Sequence, residues 1–299
     1  MSRVDEAGRF NLLAESGGMR RVNALRIPAA DIAAVAETSW VVEELALFID
    51  VAEVGMYTLM WTRTDAPAAA GFVAADGVIG EQIEPDALAL SAGFLFTEGI
   101  IDGMADIAEM AICPDSPDVV RVRLVAPPQG RATRRGGFIA SSCGVCGGVD
   151  GIGDLRSGLP VVPQTLHVAP PDFQQIMVAM ESRQLVFNTT GGTHAAALFA
   201  ADRSILAAAE DLGRHNALDK VIGRCLLRGT ATAGSGAVLS GRVSLELVVK
   251  AARAGVEIVA AVSAPSSLAI DAAQQFGITL CGFVRNGRLT AYTHPQRLV

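Results

Sequence analysis

What this chain has little of narrows the field before any motif is read. Five cysteines, at 113, 143, 146, 225 and 281, are an odd count in 299 residues, which argues against a disulfide framework. Although 51% of the chain is hydrophobic, no uninterrupted apolar run reaches the roughly 18 residues of a membrane span. Positive charge is short, with 24 Lys and Arg against 31 Asp and Glu and a net charge of −7. That balance disfavours general nucleic-acid binding. The opening stretch MSRVDEAGRFNLLAESGG carries charge throughout and lacks the apolar core of a secretory signal. A cytoplasmic protein with neither membrane nor nucleic acid as partner is therefore expected.

What is present suggests two units, for which the length is comfortable. Residues 1–38 read as a variable tail with weak periodicity. Residues 39–137 read as a small α+β domain, and 138–299 as a layered α/β domain. In the first unit, ELALFIDVAEVGMYTLMWTR resembles two strands joined near Val54 and Gly55. PDALALSAGFLFTEGI has helical apolar spacing that stops at Gly99, and VVRVRLV alternates as a half-buried strand does. APAAAGFVAADGVIGEQI has no clear period and reads as an insertion. In the second unit, DLGRHNALDKVIGRCLLRG puts Leu218, Val221, Ile222, Cys225 and Leu226 on one stripe. SLELVVKAARAG is a further helix that ends at Gly255, VEIVAAV is a buried strand, and a helix after SAPSS ends at Gly277. ITLCGFVRNGRLTAYT reads as a hairpin with a type I′ turn at Asn286-Gly287.

Between the units lies APPQGRATRRGGFIASSCGVCGGVDGIGD, residues 126–154, with eight glycines in 29 residues, which reads as a mobile surface loop. It carries Cys143 and Cys146, with Arg131, Arg134 and Arg135 upstream. Arginines and glycine amides lower a thiol pKa and favour the reactive thiolate. Three chemistries fit such a pair: half of a zinc site, a redox couple, or a persulfide carrier. Zinc lacks a second C-x-x-C or an H-x₃₋₅-H, so its other ligands would be scattered His167, His194 or Cys113. A thioredoxin-like couple should open a helix, which Gly147 and Gly148 discourage. Thiol exchange that moves a sulfur atom suits a mobile loop.

Polar clusters in the second half point to a ligand. In NTTGGTHAAALF the segment Thr190, Gly191, Gly192 precedes what reads as a short Ala-rich helix capped by Thr193, next to His194, and free amides at a helix start attract anions. EDLGRHNALDK sets Arg214, His215, Asp219 and Lys220 opposite the apolar stripe, as a solvated face or a pocket lining. SGRVSLE, SAPSS with Ser263 and Ser266, and FVRNGR stand where α/β strands give way to loops. Together they suit a large phosphorylated ligand.

These motifs also carry a resemblance. SSCGVCGG, TGGTHAAALF, EDLGRHNALDKVIG, SGRVSLELV, AAVSAPSSLA and GFVRNGRLTAYT occur in the same order in the formate dehydrogenase accessory sulfurtransferase (FdhD/NarQ) family, and GFLFTEGII and EELAL are similar to its first half. The resemblance spans about 45–60 and 86–293 and departs from the family near 64–85 and in the tail. It implies a cytidine-deaminase-like three-layer α/β domain after a smaller α+β domain, and a cytoplasmic homodimer. It implies a sulfurtransferase that takes persulfide sulfur from a cysteine desulfurase. The sulfur goes to a molybdenum or tungsten bis(molybdopterin guanine dinucleotide) cofactor bound as cargo for the formate dehydrogenase catalytic subunit. By residue, Cys143 would hold the persulfide, Cys146 would assist or resolve it, and Phe283, Val284, Arg285, Asn286, Gly287 and Arg288 match the cofactor-binding stretch. The rival readings are a cofactor chaperone that transfers no sulfur and a zinc hydrolase of the deaminase kind. The latter needs H-x-E before P-C-x-x-C, whereas here Ala196 follows His194 at the Glu position and the cysteines come first.

Overall fold

In LALFIDV and GMYTLMW every second side chain is apolar and buried, the two-residue period of strands with one face on a core. The computed structural model describes residues 18–27, 34–65, 84–127 and 158–299, with the backbone of 71–73, 77–79 and 137–139. The strands are β1 (Met19–Arg26), β2 (Val35–Val42), β3 (Leu45–Val51), β4 (Gly55–Trp61), β5 (Gly71–Val73), β6 (Gly77–Ile79), β7 (Ile107–Cys113), β8 (Ser116–Leu124) and β9 (Gly137–Ile139) in the first half. Seven of them form a sheet in the order β6-β5-β7-β8-β3-β4-β9, and β1 and β2 form a separate antiparallel ribbon. The stretch read as a variable tail with weak periodicity thus supplies β1 and the start of β2, which pair from Met19 with Val42 to Arg26 with Val35. Its side chains are mostly exposed, so it carries little apolar period to read. The stretch read as an insertion contributes β5 and β6 to the sheet edge.

Helix α1 (Asp86–Thr97) crosses the buried face of this sheet and is apolar nearly all round. Such a helix must be covered on both sides. Its second cover is α4 (Arg214–Leu227), from the other half of the chain. The two helices approach through Gly93 and Gly223. A methyl group at either would overlap a backbone carbonyl oxygen of the facing helix, that of Asp219 or of Ala89. Glycine is required here by contact, not by dihedral angle.

The second half holds α2 (Asp172–Glu181), α3 (Leu185–Thr190), β10 (His194–Phe199), β11 (Ile205–Asp211), α4, β12 (Gly236–Leu239), α5 (Leu245–Arg253), β13 (Ile258–Ala261), α6 (Ser267–Phe276), β14 (Thr279–Arg285) and β15 (Arg288–Ala291). Its strands form one sheet in the order β11-β10-β12-β13-β14-β15. Side chains alternate between the two faces. Ala196, Leu198, Val259 and Ala261 pack with α4, α5 and α6, while Ala195, Ala197, Ile258 and Ala260 pack with α2. The fold is mixed α/β. No helix among the described residues is long and apolar enough to cross a membrane.

One expectation fails here. HAAALF is strand β10, not a helix capped by Thr193, and the helix α3 comes before the glycines. Alanine favours helix in isolation, but pairing with β11 and β12 on its two edges, with helices packed on both faces, decides the state of this segment. Gly191 ends α3 with φ 68°, and its N–H donates to the Phe187 carbonyl.

Candidate functional site

Strands β12, β13 and β14 are parallel, and β10 runs against β12. The start of β10 therefore lies at the same end of the sheet as the finish of β12, β13 and β14. Pairing of His194 with Asp211 brings the finish of β11 there too. The loops Ser240–Ser244 and Val262–Ser266, the start of α4 at Arg214 and the β14–β15 hairpin all belong to that end. Residues read from separate motifs are gathered by topology alone, where α/β sheets bind ligands.

The hairpin is shaped by backbone demands. Asn286 and Gly287 have φ 52° and 69°, both positive as a type I′ turn requires. The Gly287 N–H donates to Gln174 Oε1 at 3.1 Å, which ties the turn to α2. An irregularity between Gly282 and Arg285 leaves Phe283 in the left-handed region, φ 53°, with its ring 43% exposed. Arg285 and Arg288 face each other across the turn as a like-charged pair, which is unfavourable unless an anion lies between or beside them. Both are exposed, and neither meets a carboxylate among the described residues. They line a cleft of about 630 Å³ with Phe283, Asn286, Leu289 and Thr290. Val284, in the same sequence stretch, is 4% exposed and packs in the core, so its side chain does not reach the cleft.

A second cavity of about 320 Å³ adjoins it, lined by Gly191, Gly192, Thr193, His194, Ser240 and Val262 and by Met180, Glu181, Gln184 and Phe187. The two linings touch where the Val262 carbonyl accepts from Arg285 Nη2 at 3.4 Å. His194 is held below its ordinary pKa, first by burial and then by the charges of Arg214 and Arg242, with Asp211 opposing. It sits against Gly241, where a Cβ would come within 3.1 Å of its Nδ1. A cationic rim therefore surrounds a neutral imidazole.

Other expected site residues have internal duties. His215 is buried, 2.9 Å from Ser244 Oγ and 3.3 Å from Glu246, and so joins α4 to α5. Ser266 caps α6 by accepting from the Ala269 N–H. The Ser263 carbonyl accepts from the Phe283 N–H, which seats the strained residue. Thr190 Oγ1 donates to the Val186 carbonyl and accepts from the Gly192 N–H. The first amides of α3, at Val186 and Phe187, donate to Glu210, so that helix start is satisfied by the protein's own carboxylate. Burial raises the Glu210 pKa. Sequence reasoning passed over Glu181, Gln184 and Phe187. They fall at the end of α2, just before α3 and within α3, so no single helical period marks them in the sequence.

Cys143, Cys146 and the glycine-rich stretch around them lie outside the described residues, as do the expectations about that loop. The remaining thiols can be assessed. Burial pushes Cys225 up to about 11 and Cys281 up to about 12, which leaves both protonated and unreactive at neutral pH. Cys113 is half-buried at the end of β7.

Residues 83–299 match the FdhD/NarQ family. The chain belongs to this family. It is 42% identical over 226 residues to the sulfur carrier protein FdhD of Anaeromyxobacter sp. (strain K), covering 70% of this chain and 78% of that one. It is 40% identical over 220 residues to the protein of the same name from Thermoplasma volcanium, covering 70% and 77%. A solved structure from Desulfotalea psychrophila, provisionally assigned as a formate dehydrogenase accessory protein, superposes with a TM-score of 0.70 over 94% of this chain and 99% of its own, at 21% identity. That similarity concerns the fold.

Proposed function

We propose that this FdhD/NarQ family member is a sulfurtransferase of formate dehydrogenase maturation. It carries persulfide sulfur on Cys143 to a molybdenum or tungsten bis(molybdopterin guanine dinucleotide) cofactor, its cargo. The observation that carries this reading is the convergence of Arg285, Arg288, Arg242 and His194 on one end of the six-stranded sheet, in a chain whose net charge is −7. Attraction for an anionic dinucleotide must then be local, a demand that this group of cations supports. Two relatives named as sulfur carriers support the sulfur half of the reading. The inert state of Cys225 and Cys281 supports it further, since it narrows the reactive thiols to Cys113 and the C-x-x-C pair.

The chemistry is thiol exchange. The Cys143 thiolate attacks the outer sulfur of a persulfide on the donor, a cysteine desulfurase, and the donor leaves as its own thiolate. Cys146 assists or resolves. Attack of its thiolate on the inner sulfur of Cys143 persulfide would release the outer atom as hydrosulfide and leave a disulfide between the pair. The chain passes from β9, paired with β4 at Leu59 and Ile139, into the segment that bears the thiols. Cys143 is four positions beyond Ile139, a reach of at most about 14 Å. Three residues beyond β4's last pairing with β9, at Thr62, the backbone N–H donates to Asp211 Oδ2 at the site end of the other sheet. The cytoplasmic location, the homodimer and the cytidine-deaminase-like layering belong to the same proposal.

Treatment with a cysteine desulfurase and cysteine, followed by mass spectrometry, tests it. One added sulfur should map to Cys143, and Cys143→Ala should abolish formate dehydrogenase activation with cofactor binding retained. Sulfur found only on Cys113, Cys225 or Cys281 sinks the assignment. Cofactor binding with no sulfur transferable from Cys143 would make the protein a chaperone instead.

A further inference from the structure

Strand β4 has two edges, one against β3 and the other against β9. Backbone groups alternate between the edges along a strand, so Thr58, Met60 and Thr62 present theirs to one side. Thr58 lies opposite Phe138 of β9, within a pairing that runs from Tyr57 with Gly137 to Leu59 with Ile139. Met60 and Thr62 meet α4 instead. The Met60 carbonyl accepts from Asn216 Nδ2 at 2.8 Å, and the Thr62 carbonyl accepts from Lys220 Nζ at 2.6 Å. The Thr62 N–H donates to Asp211 Oδ2 at 3.1 Å. One edge of β4 is thus divided between a strand and a helix, and the division falls at Met60.

The Met60 carbonyl is where the β4–β9 ladder would continue. The next step of a parallel ladder pairs it with the N–H two residues past Ile139, that of Ser141. Asn216 occupies that acceptor. Its amide also donates to Asp211 Oδ1 at 3.0 Å, and Asp211 accepts from the Gly213 N–H at 2.8 Å. Both neighbours of Nδ2 are acceptors, which fixes the orientation of the amide. Asn216 and Asp211 are buried, so the two acceptors have no water to replace these donors. Asn216 stands in the same first turn of α4 as Arg214, whose charge reaches His194. We infer that Asn216 is a positioning residue for sulfur delivery. By taking the Met60 carbonyl it stops β9 at Ile139 and sets where the chain leaves the sheet toward Cys143. The inference rests on the reading of Cys143 as the sulfur carrier. With the carbonyl released, pairing advances by one ladder step of two residues. The tether to Cys143 then drops from four positions to two, or from about 14 Å to about 7 Å of reach.

Desulfurase treatment of the full chain with mass spectrometry reads loading, and formate dehydrogenase activation reads delivery. Asn216→Ala should load Cys143 as the wild type does and deliver at least about tenfold less. Affinity for GDP, a fragment of the proposed cargo, should not change. Two glycines inserted before Cys143 in the Asn216→Ala chain should restore delivery, which longer reach does not do for a general packing defect. Delivery unchanged in Asn216→Ala, or lost and not restored by the insertion, overturns the inference. A GDP affinity that falls with delivery places Asn216 in the ligand site and overturns it too. Where Asn216→Ala fails to fold, deletion of Ala140 and Ser141 from the otherwise unchanged chain shortens the tether by the same two residues. Loaded but undelivered sulfur in that variant supports the inference, and normal delivery overturns it. A wild-type chain that takes no sulfur on Cys143 removes the carrier reading and the positioning role with it.

Discussion

The charges along α4 and those at the open end of the six-stranded sheet are used by the fold in opposite ways. Toward the middle of α4, Lys220 is fully buried between Asp86 at 3.1 Å and Asp211 at 3.0 Å and donates to the carbonyls of Thr62 and Glu210. Arg224 pairs with Asp86 at 2.6 Å, and Lys250 with Asp219 at 2.8 Å. Trp61 lies under the Lys220 ammonium at 5.1 Å. Every cation here has a carboxylate, and the ensemble joins α1 and β4 to the second half of the chain. At the sheet end, Arg242, Arg285 and Arg288 have no carboxylate among the described residues. Paired charge holds the two halves together, whereas charge left without a counter-ion is available to a ligand.

The sharpest break of this contrast is at Lys220. Replacing it by Met leaves Asp211 buried without its cation and Asp86 with Arg224 alone. Removal of one partner from a buried pair costs about 3–5 kcal/mol. Lys220→Met should therefore lower the urea midpoint strongly, while Arg242→Ala should shift stability by no more than about 0.5 kcal/mol. Similar losses in both would erase the distinction between the two charge sets.

Arg288→Ala should give the converse result. One charge-assisted contact is worth about 1.5–3 kcal/mol, or about ten- to 150-fold in affinity. GDP binding should weaken by that factor with the unfolding curve unchanged, and persulfide loading of Cys143 should survive. Equal GDP affinity in wild type and variant, read by calorimetry, would move the phosphate site away from the hairpin.

Which of these features could be read from sequence follows from how local each one is. The stops at Gly99, Gly255 and Gly277 and the turn at Asn286-Gly287 all adopt positive φ, a demand made and met within a few residues. The two strands of the first hairpin and the buried run VEIVAAV were legible for the same reason. β10 was not, because HAAALF has helical propensity and becomes a strand only through partners at β11 and β12. The duty of Lys220 was hidden as well, since Asp86 is 134 positions away. In the site, Arg285 and Arg288 could be singled out but not the burial of Val284, which depends on the irregularity two residues earlier. The thiols, plain in the sequence, lie outside the described residues.

A finer test of the buried network is its pH dependence. Asp65 accepts from the Asp86 N–H at 2.7 Å, and burial, followed by the Asp86 charge, raises its pKa from 3.8 to about 7. Between those values the folded protein holds a proton that the unfolded chain has released. Stability should therefore rise as pH falls from about 7 toward 4, by up to about 1.4 kcal/mol per pH unit from this group. Asp86 works in the other direction. Its folded pKa is lowered, with Lys220 and Arg224 overcoming burial, so its stabilisation is present above the ordinary carboxylate range and lost only in strong acid. Asp65→Asn keeps the acceptor for the Asp86 N–H and removes the titration. Urea midpoints at pH 5, 6, 7 and 8 should differ least at pH 5, with the gap widening up to about pH 7 and levelling off above it, the variant being the more stable. A constant difference across the series would mean that Asp65 does not titrate in this window.

The smallest effect is expected where the hairpin is strained. Phe283 holds φ 53° with an exposed ring, and a left-handed conformation costs a side-chain-bearing residue about 1–2 kcal/mol. Glycine removes that strain but gives the unfolded chain more freedom, which offsets part of the gain. Little apolar burial is lost, since the ring is 43% exposed. Phe283→Gly should therefore leave stability unchanged or raise it by up to about 1 kcal/mol. GDP binding should weaken, because the ring borders the cleft with Arg285 and Arg288. Phe283→Ala retains the strain, so it should weaken GDP equally without the gain in stability. A residue kept in a costly conformation for the ligand's sake would show this split. A stability loss of more than about 1 kcal/mol in Phe283→Gly, with GDP binding intact, would make Phe283 part of the scaffold and move it to the other side of the comparison.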